Sequence, residues 1–372
     1  MLTQVVGLAG HLGRGTGRII TDAVVGRLPR LPRRVTDLTP AHLTRLLGRR
    51  VDRVSIVDGD AGTSSRARLA LEGNDVPGTV FVKMPAETAG TRFVTELGRL
   101  AETETRFYSE IAPRLGDVPQ AHAAAFDPLT GRFVVVLEDL AVDHCEFADT
   151  LHPLTTDQAR LLVELLARVH AVFWGRLPAS RDAALGWVYS ASEDPVSLLT
   201  GRLLRMSAKR LAQRTEIPIQ RGRFIDDNYR AVASVIDGGP HTLMHGDAHP
   251  GNVYFRNGGA GLLDWQAVRR GHASRELSYS LITGMTTDDR RRGERELLDA
   301  YRGALRAAGG PELDREGLWT RYRQSALYAY TATAITAGLG GMQDDTIALA
   351  GLERSVAALE DLDTIAALRA AL

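Results

Sequence analysis

A single cysteine, Cys145, stands in 372 residues, which excludes an intrachain disulfide and any zinc or iron–sulfur site built on several thiolates. A lone thiol of this kind is ordinarily a small apolar group of the interior rather than a nucleophile. Aromatics are scarce at 6%, which gives no support to an aromatic cage for a quaternary ammonium. Charge of either sign is not in excess, since 45 Lys and Arg balance 45 Asp and Glu, and at the whole-chain level nothing argues for a nucleic-acid partner. Long hydrophobic runs are also missing. The opening MLTQVVGLAGHLGRGTGR has no basic segment ahead of its apolar part and is broken by glycines well short of a membrane span. Neither a signal peptide nor a transmembrane helix is expected, a membrane is not an expected partner, and the expected compartment is the cytoplasm. The GRGTG at 13–17 follows no strand and precedes no Lys-Ser/Thr pair, so it reads as part of a flexible arm and not as a nucleotide loop.

What is present is an ordinary globular composition, 44% hydrophobic and 24% charged, in a chain longer than one hydrophobic core usually serves. Residues 1–36 read as an N-terminal arm with one short helix around Ile19–Val25, residues 37–140 as a first lobe, and 141–372 as a second. In the first lobe, Thr39-Pro40 opens a short helix that stops at Gly48. Residues 51–72 then alternate in strand fashion on both sides of a small-residue turn, TVFVKMP at 79–85 gives a third strand, and RFVVVLEDL at 132–140 a strongly apolar one. Between them, residues 92–115 have the pattern of one long amphipathic helix ending near Pro113. After Thr155 the pattern is helical to Leu372, interrupted at 241–266.

That interruption carries the chemistry. HGDAHPGN, 245–252, packs two histidines, an aspartate and an asparagine into one loop, and NVYFRNGGAGLLDWQ follows. Asn257-Gly258 between two apolar runs is a strong hairpin signal, because both residues tolerate positive φ. A hairpin there folds Asn252 back toward Asp264, and an amide oxygen with a carboxylate suits Mg²⁺, a cation that takes hard oxygen donors and is completed by phosphates. Asp247, five residues before Asn252, is then the base or orienting carboxylate, in the spacing of kinase-type phosphoryl transfer. Against this stand two plainer readings: His245 and Asp247 as structural residues, or HGDAH as a zinc-type cluster needing a further ligand such as His272 or Asp264. His245 and His249 are expected to brace the loop by hydrogen bonding. The four tryptophans, Trp174, Trp187, Trp265 and Trp319, are expected in packing roles.

Phosphoryl transfer requires further parts upstream in a fixed order. The turn Gly59–Ser65, with Gly62, Thr63, Ser64 and Ser65 at its end, offers backbone N–H groups to the β- and γ-phosphates. Lys83 on an apolar strand supplies a cation, and a helix glutamate pairs with it, Glu104 being preferred over Glu102. The stretch Glu138 to Leu140 then offers backbone to adenine.

The sequence resembles the aminoglycoside phosphotransferase and choline kinase-like superfamily, most closely its ecdysteroid kinase-like branch, on VFVKMP (80–85), ExxFYxxxAP (104–113), LEDL (137–140) and LLDWQ (262–266). The resemblance covers roughly residues 37–360. It implies an α+β, two-lobed protein kinase-like fold, with a small N-terminal β-sheet lobe carrying one long helix and a larger, mainly helical C-terminal lobe. It further implies ATP- and Mg²⁺-dependent phosphorylation of a hydroxyl on a small molecule, an aminoglycoside-, choline- or steroid-like alcohol. Position by position, Asp247 is the catalytic aspartate, Asn252 and Asp264 the metal ligands, Lys83 the phosphate lysine and Glu104 its partner. Gly246 replaces the arginine of protein kinases, against a protein substrate, and the phosphate loop has few glycines. Glu276 stands where the superfamily more often has aspartate, with a structural role expected near a helix start. The alternative function is a catalytically silent kinase-fold protein that binds nucleotide or ligand. Glu146, Asp149, Asp226 and Asp227 are the candidates for an acidic acceptor pocket; the acceptor and the oligomeric state are not set by the sequence.

Overall fold

Period-two alternation in residues 51–85 becomes an antiparallel sheet in a computed structural model of the chain, which describes residues 2–25, 31–142, 144–341 and 343–372. Two compact units result, Met1–Cys145 with Asp264–Ala267, and Glu146–Leu263 with Val268–Leu372. Among the described residues no helix is long and apolar enough to cross a membrane.

The first unit opens with α1 (Leu2–Val25) and α2 (Pro40–Leu47). Helix α2 is closed at both ends by local chemistry: Thr39 and His42 form a reciprocal capping box, Pro40 takes the first turn, and Gly48 ends it at φ +66°. Strands β1 (Val51–Ala61), β2 (Ser64–Gly73) and β3 (Thr79–Pro85) follow, then α3 (Ala89–Gly98), α4 (Leu100–Arg106), β4 (Ala121–Phe126) and β5 (Phe133–Glu138). The five strands run in the order β1-β2-β3-β5-β4. Leu69, Leu71, Val80, Val82, Met84, Val134 and Val136 form a core with Leu43 of α2. Because strand side chains alternate, this leaves Lys83 on the opposite face of β3 from Val82 and Met84.

Three expectations for this unit need correction. The N-terminal arm is not a flexible segment with a short helix: α1 is one helix of 24 residues, GRGTG lies inside it, and Asp22 is fully buried against Arg92 and Arg132. Those partners lie 70 and 110 residues downstream, beyond any local pattern. The single long helix of 92–115 is instead two helices separated at Arg99, φ +54°, followed by a wider π turn at Phe107–Ile111. A periodic pattern does not register one left-handed residue. Strand β4 was not expected, because AHAAAF is alanine-rich and lacks strand formers; the apolar partner β5 recruits it.

The second unit begins with β6 (Glu146–Phe147) and α5 (Thr156–Phe173), which starts at a Thr155–Gln158 capping box. Helices α6 (Ser197–Leu211) and α7 (Arg223–Ile236) precede β7 (Thr242–Met244), β8 (Val253–Arg256), β9 (Gly259–Leu262) and β10 (Arg269–Gly271). Five helices complete it: α8 (Ser274–Gly284), α9 (Thr287–Ala307), α10 (Arg315–Leu339), α11 (Asp345–Asp361) and α12 (Thr364–Arg369). The β8–β9 hairpin turns at Asn257 and Gly258, φ +53° and +76°, both in the left-handed region that a tight two-residue turn demands. The tryptophans pack: Trp174 lies edge-on to His272, and Trp319 stacks on Tyr322 beneath Arg295.

Candidate active site

In the first unit, Lys83 faces away from the apolar core and is 4% exposed. Its Nζ donates to Glu104 Oε1 at 2.7 Å and to Asp264 Oδ1 at 2.8 Å. Burial alone lowers the affinity of Lys83 for its proton, but the charges of Asp264 and Glu104 outweigh it and hold the ammonium protonated. Burial pushes the Glu104 carboxyl up to about 7, with Lys83 drawing it down and Asp264 adding to the rise. Two carboxylates thus share one ammonium, and with both ionised the three groups carry one negative charge in excess, with the positive charge of Arg66 acting on Glu104 from nearby. A cation with hard oxygen ligands suits that surplus. The competing Glu102 instead accepts from Arg18 at 3.2 Å, so Glu104 is the partner of Lys83.

Asp264 adopts φ +59°, a strained choice for a residue with a side chain. The strain is held in place by its neighbours. Trp265 is fully buried and stacks on Phe107, rings 4.2 Å apart and 5° from parallel, and Gln266 Nε2 donates to Asp264 Oδ2 at 3.2 Å.

The β1–β2 connection is a tight hairpin in which Gly62 N donates to Ser64 O at 2.9 Å. Gly62 is exposed and Thr63 half-buried, whereas Ser64 and Ser65 are buried, so the tip alone is open to a ligand. Thr95 Oγ1 donates to Thr63 O, tying the turn to α3. At the end of β5, Glu138 N donates to Gln120 O, and its carboxylate accepts from Gln120 N, both at 2.9 Å. That backbone N–H is therefore committed within the sheet. Leu140 is buried at the start of a single 3₁₀ turn. A cleft of about 510 Å³ opens here, lined by Gly78, Thr79, His122, Glu138, Asp139 and Val142 among others.

In the second unit, the loop after β7 is gripped from several directions. Glu276, in the first turn of α8, accepts from His245 N at 3.1 Å and Gly246 N at 2.8 Å, and lies 2.9 Å from His170 Nε2. Burial favours its neutral form, yet the His170 hydrogen bond and the nearby histidines outweigh this and hold its carboxyl below the usual glutamate value. Tyr279, three residues on and so on the same side of α8, donates to Asp247 Oδ1 at 3.0 Å. Burial, then the charge of Asp247, pushes the Tyr279 hydroxyl well up, which keeps it a donor. Tyr328 of α10 donates to Gly246 O at 2.6 Å. His245 Nε2 meets Leu263 O at 2.6 Å while its Nδ1 accepts from Asp247 N, so both ring nitrogens brace the loop and neither serves a zinc ion. His249 Nδ1 accepts from Gly251 N, again bracing.

Asn252 Nδ2 donates to Asp247 O at 2.8 Å, which turns the amide oxygen to the remaining side of the group, and Asn252 O accepts from Leu263 N, also at 2.8 Å. The hairpin register thus sets Asn252 opposite the residue that immediately precedes Asp264. Tyr279, Tyr328 and His170 were not anticipated. Only the Glu276-x-x-Tyr279 spacing offered a signal, and a tyrosine on a buried helix reads as packing.

Residues 71–323 match the model of the phosphotransferase enzyme family, APH. The chain belongs to this family. Its fold is shared with solved phosphotransferases. A candidate aminoglycoside phosphotransferase from Ralstonia eutropha JMP134 aligns with a TM-score of 0.51 at 15% identity, over 84% of this chain and 93% of its own. A GDP complex of a variant aminoglycoside 2′-phosphotransferase-IIIa gives 0.51 at 13% identity, over 87% and 97%. The amicoumacin kinase hAmiN, in complex with AMP-PNP, Ca²⁺ and Ami, gives 0.50 at 13% identity, over 84% and 88%. At such identities the likeness establishes the kinase-like fold, an antiparallel-sheet unit and a mainly helical one. No curated protein sequence matches the chain.

The acidic residues suggested for an acceptor pocket have partners within the second unit. Glu146 accepts from Gln158, Asp149 caps the turn at His152, and Asp227 lies near Arg223 at the surface. Asp226 is buried and accepts from Tyr330 at 3.1 Å; burial raises its carboxyl to about 6. The folded state therefore binds this proton more tightly than the unfolded chain. The stabilisation is complete below the ordinary aspartate value and is lost as pH rises through about 6. Asp226→Asn keeps an acceptor for Tyr330 without the charge. Thermal denaturation should show the variant melting above the parent at pH 8, with the gap closing toward pH 4; a gap independent of pH would refute the buried-acid assignment.

Proposed function

We propose that the chain is an ATP-dependent phosphotransferase that phosphorylates a hydroxyl of a small molecule. The observation that carries this reading is the buried bond set of Lys83 with Glu104 and Asp264. Lys83 binds the ATP phosphates, Glu104 fixes its ammonium, and the turn at Gly62 and Thr63, with Ser64 and Ser65 behind it, lies against the phosphate tail, the Gly62 N–H itself being bonded to Ser64 O. Glu138 and Leu140 flank adenine. Asn252 and Asp264 are oxygen donors of the type Mg²⁺ takes, and the ion when bound neutralises charge on the transferring phosphoryl group. Asp247 orients the acceptor hydroxyl and takes its proton; Tyr279 steadies the carboxylate through its hydrogen bond. Residues 37–140 serve the nucleotide and 141–372 the acceptor, whose class is an aminoglycoside-, choline- or steroid-like alcohol. The steroid-like choice rests on the ecdysteroid kinase-like motifs VFVKMP and LLDWQ.

The test is ADP release from Mg²⁺-ATP across a panel of aminoglycosides, choline and steroid alcohols, run beside Asp264→Asn. At least one acceptor should stimulate release, and the variant should lose roughly 10²-fold or more of it. Tight ATP binding with no stimulation by any acceptor would instead establish the non-catalytic nucleotide-binding protein.

A further inference from the structure

Glu102 and Glu104 are two residues apart on α4, so their side chains leave the helix about 200° from one another. One side of α4 is held by Lys83, through Glu104 at 2.7 Å. The other side is held by α1: Arg18 Nη1 and Nη2 both donate to Glu102 Oε2 at 3.2 Å. The same guanidinium donates to Glu96 Oε2 on α3 at 3.0 Å. Between Glu96 and Glu102 stands Arg99 at φ +54°, where α3 ends and α4 begins. Arg18 therefore spans the break. Helix α4 runs for seven residues and continues into the π turn at Phe107–Ile111, so the groups gripping its two sides, together with the packing of Phe107 on Trp265, set where it points.

Helix α1 is itself fastened at points independent of α4. Asp22, fully buried, accepts from Arg92 and Arg132, and His11 Nε2 lies 2.8 Å from Leu97 O. Arg18 also donates to Pro128 O at 3.1 Å and lies 4.9 Å over the Phe126 ring. The Arg18 side chain is 16% exposed and that of Glu96 10%, so the Arg18–Glu96 bond is shielded from water in a way that an ordinary surface pair is not, while Glu102 is 36% exposed.

We propose that α1 is a positioning element for the phosphate-binding pair: Arg18 clamps α3 to α4 across the Arg99 break and sets where Glu104 meets Lys83. The consequence for nucleotide binding rests on the phosphotransferase reading; the clamp does not. Full-length Arg18→Ala and Glu102→Gln, each alone and combined with Glu104→Gln, test it. Without nucleotide, amide hydrogen exchange across residues 100–111 should accelerate about tenfold or more in both variants while residues 80–84 and 134–137 keep their protection. Affinity for Mg²⁺-ATP and turnover should fall about tenfold when Glu104 is intact and by less than about twofold once it is glutamine. Unchanged exchange in α4, or an equal fall in both backgrounds, would overturn the proposal. Should Arg18→Ala not fold, Glu102→Gln at the outer side of the helix carries the same comparison. A parent protein that fails to bind ATP at all defeats the phosphotransferase reading, and the exchange data still decide the clamp.

Discussion

Asp247→Ala is expected to lower turnover by roughly 10²- to 10⁴-fold, the range for losing a positioned base. ATP affinity should stay near that of the parent, because Lys83 and its partners are untouched. The geometry gives the variant a clean interpretation. Asp247 accepts a hydrogen bond from Tyr279 and lies 3.8 Å from His249 Nε2, while the loop backbone on either side is held by Glu276, Tyr328, His245 and Asn252. Removing the carboxylate therefore takes away the chemistry and leaves the loop supported. Steady-state ADP release with the best acceptor, alongside calorimetric titration with ATP, measures both quantities. Turnover within a few-fold of the parent would remove Asp247 from the catalytic role, and a collapse of ATP affinity would show that it serves the nucleotide.

Glu276→Ala should be the most damaging substitution for stability, costing roughly 3–5 kcal/mol, as expected when one member of a buried charged network is removed. Three groups lose their acceptor together: the N–H groups of His245 and Gly246, and His170 Nε2. Water is not within easy reach of two of them, since Glu276, His170 and His245 are all buried, and Gly246 is half-buried. The charge also predicts a pH dependence. The carboxyl of Glu276 is held below the usual glutamate value, so its contribution is present above that value and is lost as pH falls through the depressed one. Urea denaturation of parent and variant at pH 8 and pH 4 should show the gap in stability narrowing at the acidic end. A cost under about 1 kcal/mol at pH 8 would mean that the loop does not depend on this glutamate. Glutamate here, in place of a shorter aspartate, fits a role in which one carboxylate reaches two backbone N–H groups and a histidine at once.

Much of the site was legible in the chain because its parts are written in short spacings. Asn257-Gly258 dictates a hairpin through backbone sterics alone, and the hairpin brings Asn252 opposite Leu263, next to Asp264. Lys83 among Val80, Val82 and Met84 follows from the two-residue period of a strand. The choice of Glu104 over Glu102 was a preference in the sequence and became a fact only when Arg18, more than eighty residues earlier than Glu102, was seen to hold the other side of α4.

What the sequence determined by itself was the set of elements whose causes are local: capped helices, alternating strands, one tight turn, and the order of chemically competent side chains. Tertiary structure alone decided the docking of α1, the break at Arg99, the recruitment of alanine-rich β4, and the support of the HGDAH loop by Glu276, Tyr279 and Tyr328. The reason is physical. The docking of α1 and the support of the loop depend on buried charges and hydroxyls finding partners tens of residues away, and β4 on the backbone of its apolar neighbour β5, so the free energy of these pairings exists only once folding has removed the groups from water.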